Sequence, residues 1–147
     1  MKNFTLLVLF LLSGCGSVVT ENDRFVGFAH EDYRLTQDSI LYKGDCGVWT
    51  DDFMLAAEGQ ESNCLGEVVI KYPKGTIIRV AKIIDEFGGS SGRCWRIQVQ
   101  VKGRRDLALI DIPACHLWHP KSWVTSSSPF APVVLDFKPE FAVKADT

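Results

Sequence analysis

The segment Arg93–Val101 constrains the fold most, because polar and apolar side chains alternate along it. Its apolar positions are Trp95, Ile97, Val99 and Val101, and its polar positions are Arg96, Gln98 and Gln100. Successive side chains of a β-strand point to opposite faces of the sheet, so the pattern predicts a strand with one face in a core. Lys-Gly-Arg-Arg at residues 102–105 then predicts a turn, and residues 106–112 predict the returning strand of a hairpin.

Other segments share the β-branched and aromatic residues that are typical of strands. They are residues 33–36, 39–42, 67–72, 76–84 and, as an edge strand, 133–137. The turn signal Pro73-Lys74-Gly75 joins two of them. We expect Ile78 and Val80 to face the core, and Lys82 interrupts their alternation, which indicates a β-bulge.

These patterns predict a mostly β protein, a small barrel or curled antiparallel sheet of five to six strands. Helical spacing of apolar residues over ten or more positions does not occur after Cys15. The segment 43–66 is rich in Gly, Asp, Asn and Ser and is expected to be a long loop. We assign a single domain to residues 31–147, with a proline-rich tail after Cys115.

The N-terminus predicts export. A short start with one basic residue, Lys2, precedes Phe4–Leu12, which is apolar except for Thr5. This run is too short to span a bilayer as a helix, which needs about 20 residues. It has the length of a signal-peptide core instead.

Leu12-Ser13-Gly14-Cys15 resembles the lipobox of bacterial lipoproteins. The resemblance implies that residues 1–14 are a signal peptide cleaved before Cys15, and that acyl chains such as palmitate on Cys15 anchor the protein to a membrane. Gly16, rather than Asp, follows the cysteine, which in that family favours the outer membrane, so we expect the domain to face the periplasm. The polar stretch up to residue 30 is expected to be a flexible tether. An ordinary secretory signal is the alternative.

The chain contains five cysteines, and a lipid on Cys15 leaves an even number. The other four are Cys46, Cys64, Cys94 and Cys115. Exported proteins meet an oxidising compartment, so we predict two disulfides among the three possible pairings. We favour Cys46–Cys64, which would staple the long loop, and Cys94–Cys115, which the predicted hairpin brings together. A thiolate metal site is disfavoured because no C-x-x-C spacing is present.

Residues 72–112 carry a second resemblance. A Pro-Lys-Gly-Thr turn at residues 73–76 leads into a strand, and a strand bearing Trp95 follows after a loop. This arrangement is similar to that of bacterial Src-homology-3-like domains, which implies a small β-barrel.

Candidate site residues are few. Trp118 and Trp123 lie in proline-flanked chain, where exposed aromatic side chains can anchor a partner; the alternative is that they cap an open end of the barrel. His116 and His119 could share a metal on a helical turn, but Pro120 disfavours a helix there and a third ligand is not evident. We expect no metal and no cofactor.

The charge pattern and the motifs narrow the function. The formal net charge is −2, which gives no basic footprint for nucleic acid. A G-x-S-x-G motif is lacking and the cysteines are expected to be oxidised, so we do not predict an enzyme. We expect a non-catalytic binding or assembly module for an envelope protein or peptidoglycan. A protective inhibitor or immunity protein against a lytic enzyme or toxin is the alternative, and a small hydrolase is a weaker one.

Overall fold

A computed structural model describes residues 16–44, 53–60, 66–87, 92–126, 128–130 and 134–146. Over these residues the chain forms nine β-strands, one turn of 3-10 helix at Asp23–Phe25 and no α-helix. The strands are β1 (Ser17–Val18), β2 (Asp32–Leu35), β3 (Ser39–Lys43), β4 (Phe53–Ala57), β5 (Glu67–Tyr72), β6 (Ile77–Phe87), β7 (Arg93–Val101), β8 (Ile110–Asp111) and β9 (Ala142–Lys144). The mostly β fold class is therefore confirmed, with more strands than the five to six expected.

All nine strands belong to one curled, half-barrel sheet. Its order is β5-β3-β4-β8-β7-β6-β2-β9, and β1 pairs with β6 beside this path. Every pairing of named strands is antiparallel except that of β4 with β8, where Met54 lies opposite Asp111 in parallel register.

The hairpin of β6 and β7 is the centre of the sheet. It pairs Ile78 with Val101 at one end and Phe87 with Arg93 at the other. The register shifts between Val80 and Lys82, which confirms the predicted bulge. The alternation of β7 is also confirmed, since its four apolar side chains lie in the core.

The returning strand β8 pairs Gln98 with Asp111 and Val99 with Ile110. Extending this register places Cys94 opposite Cys115, and the two form a disulfide with a Cα–Cα distance of 5.3 Å. The predicted Cys94–Cys115 pairing is therefore confirmed. Strand β8 is much shorter than residues 106–112, because Arg104, Arg105 and Asp106 form a wider turn, closed by the Arg104 side chain on Asp106.

The C-terminal segment completes the core instead of forming an exposed tail. Phe137 packs against Phe28 and Tyr33 with ring centroids 5.3 and 4.7 Å apart. Trp123 stacks on Phe141 at 5.2 Å. The predicted edge strand 133–137 was wrong where it is described: residues 134–137 contribute only a bridge from Phe137 to Val124, and the strand in this region is β9.

The expectation of a flexible tether up to residue 30 was also wrong. Ser17 and Val18 pair with Asp85 and Ile84, and the His30 N–H donates to the Val80 carbonyl at 2.9 Å. Between these contacts Phe25 and Phe28 are buried in the core. Burying a phenylalanine contributes roughly 1.5–3 kcal/mol, which favours packing this segment against the sheet over leaving it free.

Candidate functional site

Several predicted site residues lie outside the described residues. These are Cys15, Cys46 and Cys64. The lipid attachment and the Cys46–Cys64 disulfide therefore stay predictions. Within the predicted loop 43–66, residues 53–57 form strand β4, so that part of the loop prediction was wrong.

The two tryptophans predicted as partner contacts differ in burial. Trp123 is completely buried, and its indole Nε1 donates to Gln60 Oε1 at 2.8 Å. Its prediction as a partner-binding residue was wrong, because its ring fills the core between Phe137 and Phe141. Trp118 is half-buried on the turn after Cys115, where its N–H donates to the Cys115 carbonyl at 3.3 Å. The two rings do not form a shared binding surface.

A cationic cleft forms where strands β2, β6 and β7 lie side by side. Asp32, Arg79 and Gln100 occupy one row across these strands. The turn after β7 extends this row and adds three cations, Lys102, Arg104 and Arg105. The cleft has a volume of about 240 Å3, and its charged lining residues are Asp32, Arg79, Lys102, Arg104 and Arg105.

Hydrogen bonds between its lining residues hold the charged groups of this cationic cleft in place. Arg79 Nε donates to Asp32 Oδ1 at 2.6 Å, and Lys102 Nζ approaches Asp32 Oδ2 at 3.4 Å. The hydrogen bond from Arg79 lowers the pKa of the Asp32 carboxyl, so this carboxylate is ionised at neutral pH. One lining carboxylate therefore faces four lining cations, and the cleft carries a net positive charge.

Arg104 and Arg105 differ in how they are engaged. Arg104 donates twice to the carboxylate of Asp106, both times at 2.9 Å. This bidentate contact lowers the pKa of Asp106 and fixes the guanidinium at the turn. Arg105 is exposed and makes no ion pair within the described parts of the chain. Arg105 and Lys102, whose side chain is 67% exposed, are thus the cations most available to an incoming anion.

A buried polar cluster lies on the opposite face of β7 from the core. Arg96 donates to both carboxylate oxygens of Asp111, at 2.7 and 2.9 Å, and Gln98 Nε2 lies 3.4 Å from the same carboxylate. His119 is buried nearby, and burial lowers the pKa of its imidazole while Asp111 partly opposes the shift. Arg96, Gln98 and Asp111 hydrogen-bond one another, as buried polar groups in folded proteins do. We assign the cluster a structural role, holding β8 and the following turn to β7.

A second, larger cleft of about 420 Å3 lies beside Gln60, lined by Lys121, Lys138 and Glu140 among others. Gln60 links this cleft to the core, because its Nε2 donates to the Lys121 carbonyl at 2.8 Å and its Oε1 accepts from the Trp123 indole. Two cations and one carboxylate line this cleft, so its charge is weaker than that of the cationic cleft.

Little in the sequence indicates the cationic cleft. The pattern at residues 102–105 predicts only a turn, although three cations in four residues are a recognisable signal. Asp32 was not singled out because it is separated from Lys102 by 70 positions. Only the pairing of β2 with β6 brings them together.

In the described ranges no group of three or more His, Cys, Asp or Glu side chains is placed to hold a metal ion. None of the helical structure described there is long and apolar enough to span a bilayer. The chain matches no protein-family model, no curated protein and no solved structure. The resemblances to lipoproteins and to Src-homology-3-like domains therefore stay predictions.

Proposed function

We propose that the chain is the precursor of a bacterial outer-membrane lipoprotein, anchored through Cys15, whose β domain is a non-catalytic module that binds an acidic envelope partner. The observation that carries the binding role is the cationic cleft. Four lining cations face one lining carboxylate there, although the whole chain has a formal net charge of −2. Such a local concentration of one charge sign attracts and orients a partner of the opposite sign.

The size and the lining of the cleft favour one kind of ligand. Pockets for whole small molecules measure about 300–1,000 Å3 and are mostly apolar. The cationic cleft is smaller, at about 240 Å3, and five of its eight lining residues are charged. It therefore suits one anionic group that projects from a larger partner, such as a carboxylate of an acidic protein surface or of a peptidoglycan stem peptide. Arginine and lysine bind carboxylates through charge-assisted hydrogen bonds.

The position of the cleft also supports this role. Arg79 lines the cleft, and Asp85, six positions further along β6, pairs with Ser17 near the N-terminus. At about 3.3 Å per residue the two points are roughly 20 Å apart. An anchor at Cys15 would therefore leave the cleft away from the membrane attachment, open to a partner in the periplasm.

The test is capture of a partner from envelope extract under oxidising conditions, using the mature protein as bait. The cleft variant is Lys102→Gln with Arg105→Gln, which removes two exposed cations without touching the core. The matched control is Lys121→Gln with Lys138→Gln, which removes two cations from the cleft beside Gln60. We expect saturable capture by the wild type, strong loss in the cleft variant and retention in the control.

The identity of the captured molecule then defines the role. An assembly protein or peptidoglycan would make the domain an accessory module, whereas a lytic enzyme that the protein inhibits would make it a protective inhibitor. Equal capture by the wild type and the cleft variant would contradict the assignment of the cleft as the binding site. Loss only in the control would move the site to the cleft beside Gln60.

A further inference from the structure

Gly16 and Ser17 lie at one end of the sheet, against strand β6. Gly16 lies so close to this strand that a Cβ added to it would be 2.7 Å from Glu86 Oε2. The next residue, Ser17, pairs with Asp85. A trans peptide bond holds successive Cα atoms about 3.8 Å apart, so a lipid on Cys15 would begin within one residue of this end. The anchor would then be joined to the folded sheet without an intervening tether.

Two exposed aromatic rings lie at this same end. Phe87 is the last residue of β6, is 52% exposed and pairs with Arg93. The Arg93 guanidinium is held by Asp85 and lies 5.3 Å from the ring centroid of Phe130, which is 75% exposed. Both rings therefore neighbour one arginine, close to where the anchor would begin.

An exposed arginine, Arg24, lies near these rings. The Arg24 guanidinium lies 5.2 Å from the Trp95 ring centroid, and its Nη1 is 3.4 Å from the carbonyl of Pro129, next to Phe130. Arg24 is exposed and makes no ion pair with another described residue. Exposed aromatic rings with a nearby arginine are the combination that favours the boundary between lipid headgroups and acyl chains.

We propose that this end of the domain, formed by Phe87, Phe130 and Arg24, lies directly against the surface of the membrane. The inference rests on the proposed lipid anchor at Cys15. The occupant of this surface is the bilayer itself, because the anchor would hold these side chains beside it. Phe87 and Phe130 then enter the headgroup region, and the cationic cleft at the other end of β6 faces away.

The test is photo-crosslinking from single positions of the full-length protein, purified in its lipidated form. Benzoylphenylalanine replaces Phe87 or Phe130 in the test variants, and Val143 in the control. Val143 is 41% exposed, and it pairs through β2 with the opposite end of β6 from Phe87. The proteins are reconstituted into vesicles of phosphatidylethanolamine and phosphatidylglycerol that carry radiolabel only on the vesicle lipid. Crosslinks to the protein's own acyl chains then carry no radiolabel and are not detected.

We expect every variant to float with the vesicles, and labelled adducts to form from positions 87 and 130 but not from 143. Flotation with equal labelling from all three positions, or with none, would overturn the membrane-facing surface and leave the anchor standing. A protein–protein adduct from position 130 would assign this surface to a second copy instead. Failure of the wild type to float would remove the lipid anchor, and this inference with it.

Discussion

Trp123 shows what a single side chain contributes to this core. Its ring is stacked on Phe141 at 5.2 Å and lies 6.5 Å from Phe137, while its indole nitrogen is hydrogen-bonded to Gln60. Phe137 and Phe141 precede β9 and Gln60 follows β4, so one ring joins the C-terminal segment to the sheet. Nothing in the local sequence distinguishes it from Trp118, which is half-buried five positions earlier.

We predict that Trp123→Ala lowers the free energy of unfolding by about 3–5 kcal/mol, since it leaves a large cavity and removes the hydrogen bond from the indole to Gln60. Denaturant unfolding of the purified protein measures this. Trp118→Ala is the matched control and should cost clearly less, because that side chain is only half-buried. Equal losses of stability from the two variants would show that the burial of Trp123 does not set its contribution.

His119 makes stability depend on pH. Burial lowers its pKa in the folded protein below the ordinary value of 6.5. Well above that value His119 is neutral in both the folded and the unfolded state, so its titration takes nothing from the free energy of unfolding. As the pH falls below about 6.5 the unfolded chain binds a proton first, so the free energy of unfolding should fall until the folded pKa is passed. Unfolding in urea at a series of pH values measures this, and His119→Gln should flatten the slope in that window. If the slope is unchanged in His119→Gln, the pH dependence of stability comes from other groups.

At the scale of elements, the disulfide secures the short strand β8. Cys94 lies in β7 and Cys115 lies beyond β8, 21 positions later in the chain. Because β8 has only two strand residues, its pairing with β7 contributes few hydrogen bonds of its own. The covalent bridge and the Arg96–Asp111 ion pair therefore hold this edge of the hairpin together.

Replacing Cys94 and Cys115 together with Ala should lower the free energy of unfolding by about 3 kcal/mol, from the entropy that the unfolded chain regains. Substitution isolates this bridge, whereas a reducing agent would act on every cysteine pair. Thermal or denaturant unfolding measures the loss. A double variant as stable as the wild type would mean that the bridge adds nothing to the hydrogen bonds and packing of the hairpin.

The β6–β7 hairpin could be predicted from sequence because its pattern is local. Side chains alternate along β7, and Lys82 marks the bulge of β6. Strand β4 could not be predicted in this way, because Met54, Leu55, Ala56 and Ala57 are all buried and no alternation remains. A strand buried on both faces has a continuous apolar run instead.

Other parts of the fold depend on contacts that the sequence does not show. Strands β1 and β9 have two and three residues, which is too short to produce a periodic signal. The cationic cleft combines Asp32 of β2 with Lys102 after β7, and only the order of the sheet makes them neighbours. Residues near in sequence were therefore predicted better than sites assembled across strands.

At the scale of the whole molecule, the proposed membrane surface and the cationic cleft lie at opposite ends of the domain. The end of β6 near Phe87 lies beside the start of the described chain, and the end near Arg79 lines the cationic cleft. The N-terminal segment is bound along β6 through Ser17, Val18 and His30. The proposed anchor would therefore fix not only the location of the domain but also its orientation.

The proposed function depends most on the anchor at Cys15, and metabolic labelling with radioactive palmitate tests this anchor directly. Cells expressing the full-length wild type are compared with cells expressing Cys15→Ser, and the protein is recovered by immunoprecipitation. We predict label in the wild type, found in the membrane fraction, and none in Cys15→Ser. Label that persists in Cys15→Ser, or an unlabelled wild type, would contradict the account.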